Sequence, residues 1–277
     1  MRWEPAAQEA LKQVPFMVRP LARKQIEARV AGQGRESVSL ADYQAAEAAF
    51  RALSGGRSQA ELAGLMPAAN RPGVEMAPLE ACRSELTGCP NRLIATDQWR
   101  QALQDWLARR DVSERLRGLV PGEQVLYHHK LKLAVAGCPN GCSRPQVADM
   151  ALVGFVRPSF DLADCTACGA CAQACPDQAI TMTDEGPVWG EAACQGCRAC
   201  AEACPAGCIT TGQPAVRVLM GGKLGRHPHL ADPVAEAADP AAAVELLDRA
   251  LERYLAQARP GERFAAWWQR QGGRLDQ

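Results

Sequence analysis

Apolar residues recur every three to four positions in three stretches of the chain, and this spacing predicts amphipathic helices. The helices are expected over residues 38–53, over residues 97–109 and in a stretch that starts near residue 240. A polar residue at the start of each stretch can supply the helix cap. The proposed caps are Ser39 or Asp42, then Asp97, and then Asp239 followed by Pro240. The apolar faces comprise Leu40, Tyr43, Ala46, Phe50 and Leu53; Trp99, Leu103, Trp106 and Leu107; and Val244, Leu247, Leu251, Tyr254 and Leu255.

Two further stretches predict β-strands. Residues 130–136 alternate polar and apolar side chains before Gly137, which is typical of a strand with one buried face. Residues 151–156 form a second, mostly apolar run. Glycines and prolines between residues 54 and 80 predict loops and turns. Helices and strands together predict an α+β fold.

Composition and charge exclude several function classes. The 277 residues are 47% hydrophobic, and 31 lysines and arginines balance 31 aspartates and glutamates. A neutral chain has no global field to attract nucleic acid or an anionic membrane, so neither is an expected partner. Residues 1–16 carry charges and prolines where a signal peptide needs an apolar stretch, and no run approaches the ~20 apolar residues of a membrane span. These features predict a soluble, cytoplasmic protein whose thirteen cysteines stay reduced and can bind metal.

A cysteine motif of the form C-x2-C-x2-C-x3-C-P occurs twice, beginning at Cys165 and again at Cys194. Three close thiolates with a fourth before proline are typical of [4Fe–4S] ligation, in which the fourth cysteine of each run binds the other cluster. A pair of zinc knuckles is the alternative, although zinc sites usually combine two C-x2-C pairs. The expected ligand sets are Cys165, Cys168, Cys171 and Cys204 for one cluster, and Cys194, Cys197, Cys200 and Cys175 for the other.

Over about 165–210 the sequence resembles a bacterial-type two-cluster ferredoxin, including the Ala179-Ile180 pair after the first run. The resemblance lies in mid-chain, so it implies an inserted ferredoxin domain, which we place at 161–212. Cys208 has no place in the two ligand sets and is expected to be a small buried residue.

The remaining four cysteines form two pairs, Cys82 with Cys89 and Cys138 with Cys142, and could hold a third cluster. The second pair lies in GCPNGCSRPQVAD (137–149), and GGKLGRHP (221–228) follows the ferredoxin-like stretch. With these segments the chain resembles the siroheme-dependent sulfite and nitrite reductases, in particular the small, ferredoxin-containing members of the anaerobic sulfite reductase type. The resemblance implies an α+β reductase-type domain formed by residues 56–160 and 213–277.

This resemblance also implies the cofactors and their ligands. In the family, one cysteine is shared by a [4Fe–4S] cluster and the siroheme iron, and by position that cysteine is Cys142. Siroheme carries many carboxylates, and cationic side chains can bind them. Lys130 and Lys132 resemble the family's K-x-K pair that meets the anionic substrate, so we expect them to be catalytic; an exposed position is the alternative. The other cofactor-binding candidates are Arg144, Lys223 and Arg226.

Two departures from the family pattern affect the prediction. The first cysteine pair is C-x6-C, one residue longer than is usual in the family. The larger members of the family build their siroheme pocket from two related halves, whereas this chain has one cysteine set. A second copy of the chain or a partner subunit is therefore expected. The four histidines are candidates for proton relay or for ordinary capping and surface positions: His128, His129, His227 and His229.

The N-terminal stretch from P-F-x-V-R (15–19) to about residue 50 resembles the small helical domain of light-independent protochlorophyllide reductase. It implies a small helical domain over residues 1–55, which could dock a partner, shield a cluster or act as a plain lid.

Two functions follow from the sequence. In the first, a redox partner protein delivers electrons to the ferredoxin-type clusters, which pass them to the third cluster and siroheme to reduce sulfite or nitrite. In the second, the chain is an electron-transfer subunit without siroheme that supplies a separate catalytic protein.

Overall fold

The computed structural model describes residues 1–14, 19–53 and 67–275. The chain divides into two compact units, Met1–Pro67 and Ala68–Gln277. The first unit has a parallel two-stranded sheet of β1 with β2 and a small apolar core that includes Trp3 and Val38. Its elements are β1 (Arg2–Trp3), α1 (Pro5–Lys12), α2 (Arg19–Ala31), β2 (Ser37–Val38) and α3 (Leu40–Leu53).

The first predicted helix begins later than expected. It starts at Leu40, because residues 37–38 pair with β1 instead. Both predicted caps contribute: Ser39 Oγ accepts a hydrogen bond from the backbone N–H of Asp42 at 3.3 Å, and the Asp42 carboxylate accepts one from the N–H of Ser39 at 2.9 Å. The side chains of Phe50 and Leu53, part of the P-F-x-V-R motif and the predicted loop at 54–66 lie outside the described residues.

The second unit is built on a mixed sheet of five strands in the order β13-β12-β7-β6-β4. Strands β4, β6 and β7 run parallel, whereas β12 pairs antiparallel with both β7 and β13. Its elements are β3 (Ala68–Ala69), β4 (Leu79–Ala81), α4 (Thr96–Arg109), α5 (Val112–Arg117), β5 (Gln124–Val125), β6 (Leu133–Ala136), β7 (Met150–Phe155), β8 (Pro158–Phe160), α6 (Ala170–Ala174), β9 (Ile180–Thr183), β10 (Gly186–Trp189), α7 (Ala199–Ala203), β11 (Ile209–Thr211), β12 (Ala215–Met220), β13 (Asp232–Ala237), α8 (Pro240–Gln257) and α9 (Phe264–Arg270). The α+β class expected from the sequence is confirmed.

Helices α4, α8 and α9 contribute to the main apolar core together with the sheet. Helix α8 is capped as predicted, because the Asp239 carboxylate accepts a hydrogen bond from the N–H of Ala242 at 2.9 Å. The prediction that Asp97 caps α4 was wrong. The helix begins one residue earlier, and the N–H of Asp97 donates instead to the Glu85 carboxylate at 2.7 Å.

The predicted half-buried strand over 130–136 is shorter and buried on both faces. Only Leu133–Ala136 forms the strand, and all four residues are buried. Leu133 belongs to the main core, whereas Ala134 belongs to a second apolar cluster on the opposite face. The alternation failed because alanines fill the second face, and the lysines precede the strand. The predicted loop over 54–80 also contains β3 and the first residues of β4.

The cysteine-rich segment lies between β7 and β12, which are neighbours in the sheet. Within it, β8 pairs with β11, and β9 and β10 form an antiparallel hairpin. Its apolar cluster includes Cys171, Ile180, Cys200 and Ile209, separate from the main core. The segment therefore leaves the sheet at one strand and returns at the adjacent one. Among the described residues, no helix combines the length and apolarity needed to cross a membrane.

Candidate metal and cofactor sites

The two copies of the cysteine motif fold alike. In each copy a helix of five residues carries the third cysteine and ends before the fourth. The backbone at the fourth cysteine is nearly identical in both, with φ −79° and ψ 108° at Cys175 and φ −79° and ψ 109° at Cys204. This conformation is extended, so the fourth cysteine turns away from its own helix.

Each predicted ligand set surrounds one cavity. A small cavity, which we call site 1, is lined by Cys165, Cys168, Cys171 and Cys204. A second small cavity, which we call site 2, is lined by Cys175, Cys194, Cys197 and Cys200. The fourth cysteine of each motif thus lies at the cavity of the other motif. Cys208 is buried, as expected, and lines site 1 as a fifth thiol.

The thirteen cysteines are all free thiols. In the part of the chain that the structure describes, no three Cys, His, Asp or Glu side chains are grouped closely enough to hold a single metal ion. Cysteines that encircle a cavity suit a multi-iron cage better than one ion held by sulfur bonds of about 2.3 Å. The donor set and its arrangement fit [4Fe–4S] clusters.

Backbone N–H groups point at several of these sulfurs. Hydrogen bonds to cluster sulfurs favour the reduced state, and so they adjust the reduction potential. The N–H to Sγ contacts are Ala179 to Cys175 at 3.2 Å, Gly196 to Cys194 at 3.3 Å and Gly137 to Cys82 at 3.3 Å. Burial raises the pKa of the Cys200 thiol to about 11, so a bound metal must displace that proton.

The remaining four cysteines converge at one end of the sheet, which we call site 3. Cys82 follows β4 and Cys138 follows β6, and these strands are parallel neighbours. Gly137, next to Cys138, donates its N–H to Cys82 Sγ at 3.3 Å, and its carbonyl oxygen accepts a hydrogen bond at 2.9 Å from Leu93, four residues after Cys89. The N–H of Gly141, next to Cys142, donates to the Cys138 carbonyl oxygen at 3.2 Å. Cys138 is buried and Cys142 is exposed. Site 3 therefore presents one thiol outward, where a second group could share it.

Close packing of two glycines holds this end of the sheet together. A Cβ added to Gly154 on β7 would lie 2.6 Å from the carbonyl oxygen of Gly137 and 2.9 Å from Ile94. Gly137 immediately precedes Cys138, so the approach of β7 to β6 sets the position of the cysteine loop.

The predicted substrate lysines lie at the other end of β6 from the cysteines. Lys132 directly precedes the strand and Cys138 follows it, and a strand of four residues is about 13 Å long. Lys130 is only 4% exposed, so the alternative that it occupies an exposed position is wrong. Lys132 is half-buried. Burial lowers the pKa of both ammonium groups. The two lysines and site 3 thus lie at opposite ends of β6.

Asp149 is a buried group that the sequence did not single out. It is 1% exposed, and its carboxylate accepts a hydrogen bond from the backbone N–H of Lys132 at 2.9 Å. Burial raises the pKa of this carboxyl, and the nearby Lys132 and Arg263 charges oppose that effect. Its position inside the GCPNGCSRPQVAD segment was visible, but a single aspartate in a sequence carries no signal of burial.

The three cationic candidates for cofactor binding lie at or near the surface. Arg144 makes two contacts with the Glu80 carboxylate, at 2.9 and 2.7 Å, and both side chains are half exposed. Lys223 donates to Gln269 at 2.7 Å, and Arg226 is exposed. Exposed ion pairs contribute little stability, so Arg144 could release Glu80 and bind a carboxylate of a cofactor instead. Lys223 and Arg226 are likewise accessible to such carboxylates.

An open cleft of about 510 Å³ borders the loop that carries Cys138 and Cys142. It is lined by Pro139 and Gln146, which lie on either side of Cys142 in the sequence. Leu230 and Ala231, which closely follow GGKLGRHP (221–228), also line it. Cys194 of site 2 lines the cleft as well. The cleft gives a large group access to the exposed side of the cysteine loop.

The histidines do not form one cluster in the described contacts. His129 Nδ1 accepts a hydrogen bond from the N–H of Leu126 at 3.1 Å, so it caps the turn before β6. Its ring lies 4.4 Å from that of His128, and burial lowers the pKa of His129. His229 pairs through its backbone with Lys223, and His227 is exposed. Local capping accounts for His129, and a proton relay stays a prediction.

Comparison with known protein families gives two matches. The nitrite and sulphite reductase 4Fe-4S domain family matches residues 83–274. The proto-chlorophyllide reductase 57 kD subunit family matches residues 3–46. These matches confirm the two family resemblances predicted from the cysteine segments and from the N-terminal stretch.

Individual relatives match shorter pieces. Coenzyme F420-dependent sulfite reductase of Methanocaldococcus jannaschii is 44% identical over 57 residues, which cover 21% of this chain and 9% of that protein. One of the subunits of the anaerobic sulfite reductase of Salmonella typhimurium is 38% identical over 69 residues, which cover 25% of this chain and 19% of that protein. The matched segments thus span less than a fifth of either relative.

Two solved structures are similar over 69% of this chain. Dissimilatory sulfite reductase I has a TM-score of 0.48 at 18% identity, with 49% of that chain covered. The Mycobacterium tuberculosis NirA protein has a TM-score of 0.40 at 20% identity, with 25% of that chain covered.

Proposed function

Because the chain belongs to the nitrite and sulphite reductase 4Fe-4S domain family, we propose that it passes electrons through three [4Fe–4S] clusters to a siroheme at which sulfite is reduced. The observation that carries this proposal is the crossed arrangement of cysteines at sites 1 and 2, which is the ligand pattern of a two-cluster ferredoxin. Residues 161–212 then form an inserted ferredoxin domain, and nitrite is the alternative substrate.

Each group of residues has a separate task in this proposal. The cysteines of sites 1, 2 and 3 hold clusters that carry single electrons, and siroheme supplies an iron that binds the oxyanion and a conjugated ring that delivers electrons. Cys142, the exposed thiol of site 3, is the shared ligand. The carboxylates of the ring are bound by Arg144, Lys223 and Arg226.

Lys130 and Lys132 bind the oxyanion and offset its charge. Since they lie at the opposite end of β6 from site 3, we propose that a second copy of the chain or a partner subunit completes the substrate site. A separate redox protein supplies the electrons. The same separation favours the second candidate function, an electron-transfer subunit without siroheme whose catalytic groups belong to another protein.

Optical spectra and turnover of anaerobically reconstituted protein distinguish the two functions. With siroheme, the protein shows a Soret band and a red band above the broad cluster absorption, and it reduces sulfite with a reduced viologen as donor. Cluster absorption without these bands, in protein offered siroheme, would leave only the electron-transfer function.

The exposed thiol of site 3 gives a sharper test. Cys142→Ser is expected to abolish sulfite reduction and the magnetic coupling between cluster and siroheme, while the electron paramagnetic resonance signals of sites 1 and 2 persist. Cys208→Ser is the control for a cysteine-to-serine change away from site 3. Cys208 lines site 1 without belonging to any of the three ligand sets, so the magnetic coupling between the site 3 cluster and siroheme is expected to persist. Full sulfite reduction by Cys142→Ser would contradict the shared thiolate.

A further inference from the structure

The two cysteine motifs differ at two loop positions that, in the second motif, contact residues near site 3. Counted from the first cysteine, Ala167 and Gly169 of the first motif correspond to Gly196 and Arg198 of the second. All four residues have positive φ, between 51° and 76°. The backbone is therefore the same in both copies, and the side chains show what each copy is adapted to contact.

Arg198 occupies a conformation that costs an L-residue free energy. Its φ is 65°, where the first motif has a glycine whose added Cβ would meet only Met182, at 3.9 Å. Glycine relieves this strain at no steric cost, so an arginine here indicates a function for its side chain. The guanidinium donates to the carbonyl oxygen of Pro90 at 2.6 Å. Pro90 directly follows Cys89 of site 3.

Gly196 makes a second contact in the same direction. Its carbonyl oxygen accepts a hydrogen bond from the N–H of Val156 at 3.0 Å. A Cβ at residue 196 would lie 2.6 Å from the Val156 carbonyl oxygen, so only glycine allows this approach. Val156 packs against Leu93 and Cys138 in one buried cluster. Two independent contacts therefore connect the loop of site 2 to the cysteines of site 3.

The cysteines of site 2 are intermediate or buried, whereas Cys168 of site 1 is exposed. We propose that site 2 is the immediate electron donor to site 3, that site 1 is the outer, electron-receiving site, and that Arg198 is a positioning residue that holds sites 2 and 3 together. The inference rests on the proposed function. Electrons from a donor protein would enter at the cluster held by the site 1 cysteines and would pass, one at a time, to site 2 and then to site 3.

The first test changes the arginine and leaves every cysteine in place. Arg198→Gly restores the residue of the first motif, so it relieves backbone strain. It removes the contact with Pro90 and also the ion pair of Arg198 with Glu202 at 2.7 Å, which lies within the same motif. We expect unchanged iron content, a weakened magnetic interaction between the reduced clusters of sites 2 and 3, and sulfite turnover lower by about tenfold, the factor of one charge-assisted hydrogen bond. Arg198→Lys keeps a donor and is expected to recover most of the interaction.

Arg270→Gln is the matched control. Like the change at Arg198, it removes an arginine-to-carbonyl contact, here with Gln257 at 3.1 Å, together with an ion pair, here with Glu262 at 2.7 Å, and it is remote in sequence from the cysteines. It is expected to leave both the interaction and turnover unchanged. An Arg198→Gly protein with the interaction and turnover of the parent would overturn the positioning role.

The second test addresses the order of the relay. Cys197→Ser should remove the interaction with site 3, whereas Cys168→Ser should leave it intact, because only the first change removes the cluster of site 2. The reverse result would overturn the order. Absence of all cluster signals from the parent protein would instead overturn the proposed function, so the two failures are distinguishable.

Discussion

At the scale of single residues, burial separates the two predicted substrate lysines from ordinary surface cations. A buried ammonium group is costly unless charged or polar groups surround it. Glu75 favours the charged form of Lys130, and Asp149 does the same for Lys132, while Arg263 opposes it. Lys132 Nζ also lies 4.7 Å from the centre of the Tyr127 ring. Burial outweighs these favourable neighbours and lowers the pKa of both lysines, so a bound oxyanion would supply the negative charge that their surroundings only partly provide.

Replacing either lysine should affect the substrate and spare the clusters. Lys130→Met and Lys132→Met keep the aliphatic stem and remove the cation, so we expect normal cluster and siroheme content with weaker sulfite turnover. Steady-state kinetics on fully loaded protein measures this. Unchanged turnover in both variants would remove the lysines from the substrate site.

The pH dependence of turnover follows from the same burial. Because burial lowers the pKa of Lys132, its cation is lost at a pH below that of an ordinary lysine. Anion binding needs the protonated form, so turnover should fall as pH rises through the lowered pKa. Lys132→Arg stays charged at alkaline pH, and a pH–rate profile should show its alkaline limb at higher pH. Identical alkaline limbs would show that another group controls the profile.

At the scale of elements, regular periodicity predicted three long helices, α3, α4 and α8, and missed the short ones. It also missed the 13-residue α2, in which Ile26 and Val30 are buried but most other residues are polar. The apolar faces of α4 and α8 could be predicted because their spacing repeats over several turns. The Asp239 cap could be predicted because Pro240 follows it at the first helical position. Helix α9 has seven residues and no repeat to detect, although Trp267 and Trp268 are fully buried in the main core. The misplaced boundary of β6 has a different cause, because its second face is filled by small alanines that the alternation pattern did not weigh.

Close packing between β6 and β7 predicts the effect of one methyl group. In Gly154→Ala the added methyl group would press against the Gly137 carbonyl oxygen. Overpacking of this kind lowers the free energy of unfolding by about 1–3 kcal/mol. The displaced strand end carries Cys138, so site 3 should lose cluster occupancy before sites 1 and 2. Iron analysis and thermal unfolding measure the two effects.

Gly118→Ala serves as the control for that change. Its added Cβ would meet only the Arg115 carbonyl oxygen at 3.4 Å, and its φ of −63° suits alanine. The control should retain site 3 and be at least as stable as the parent. Equal cluster content in Gly154→Ala and the control would mean that the glycine contact does not support the site.

At the scale of the whole molecule, the sequence predicted the ligand sets but not their spatial relation. The crossing of the fourth cysteines follows from motif spacing alone. By contrast, the contact of Arg198 with Pro90 joins residues 108 positions apart and depends on how the segment leaves the sheet between β7 and β12. The separation of the lysines from site 3 also required the sheet, because the sequence does not show whether the five residues between Lys132 and Cys138 turn or extend.

The most direct measurement is the iron and acid-labile sulfide content of anaerobically reconstituted protein. Three four-iron cages predict about twelve cluster irons per chain, with one more if siroheme is bound. Cys168→Ser should lower the cluster iron by about four and leave the signals of sites 2 and 3. Zinc in place of iron, or a Cys168→Ser protein with undiminished iron and cluster signals, would contradict the account.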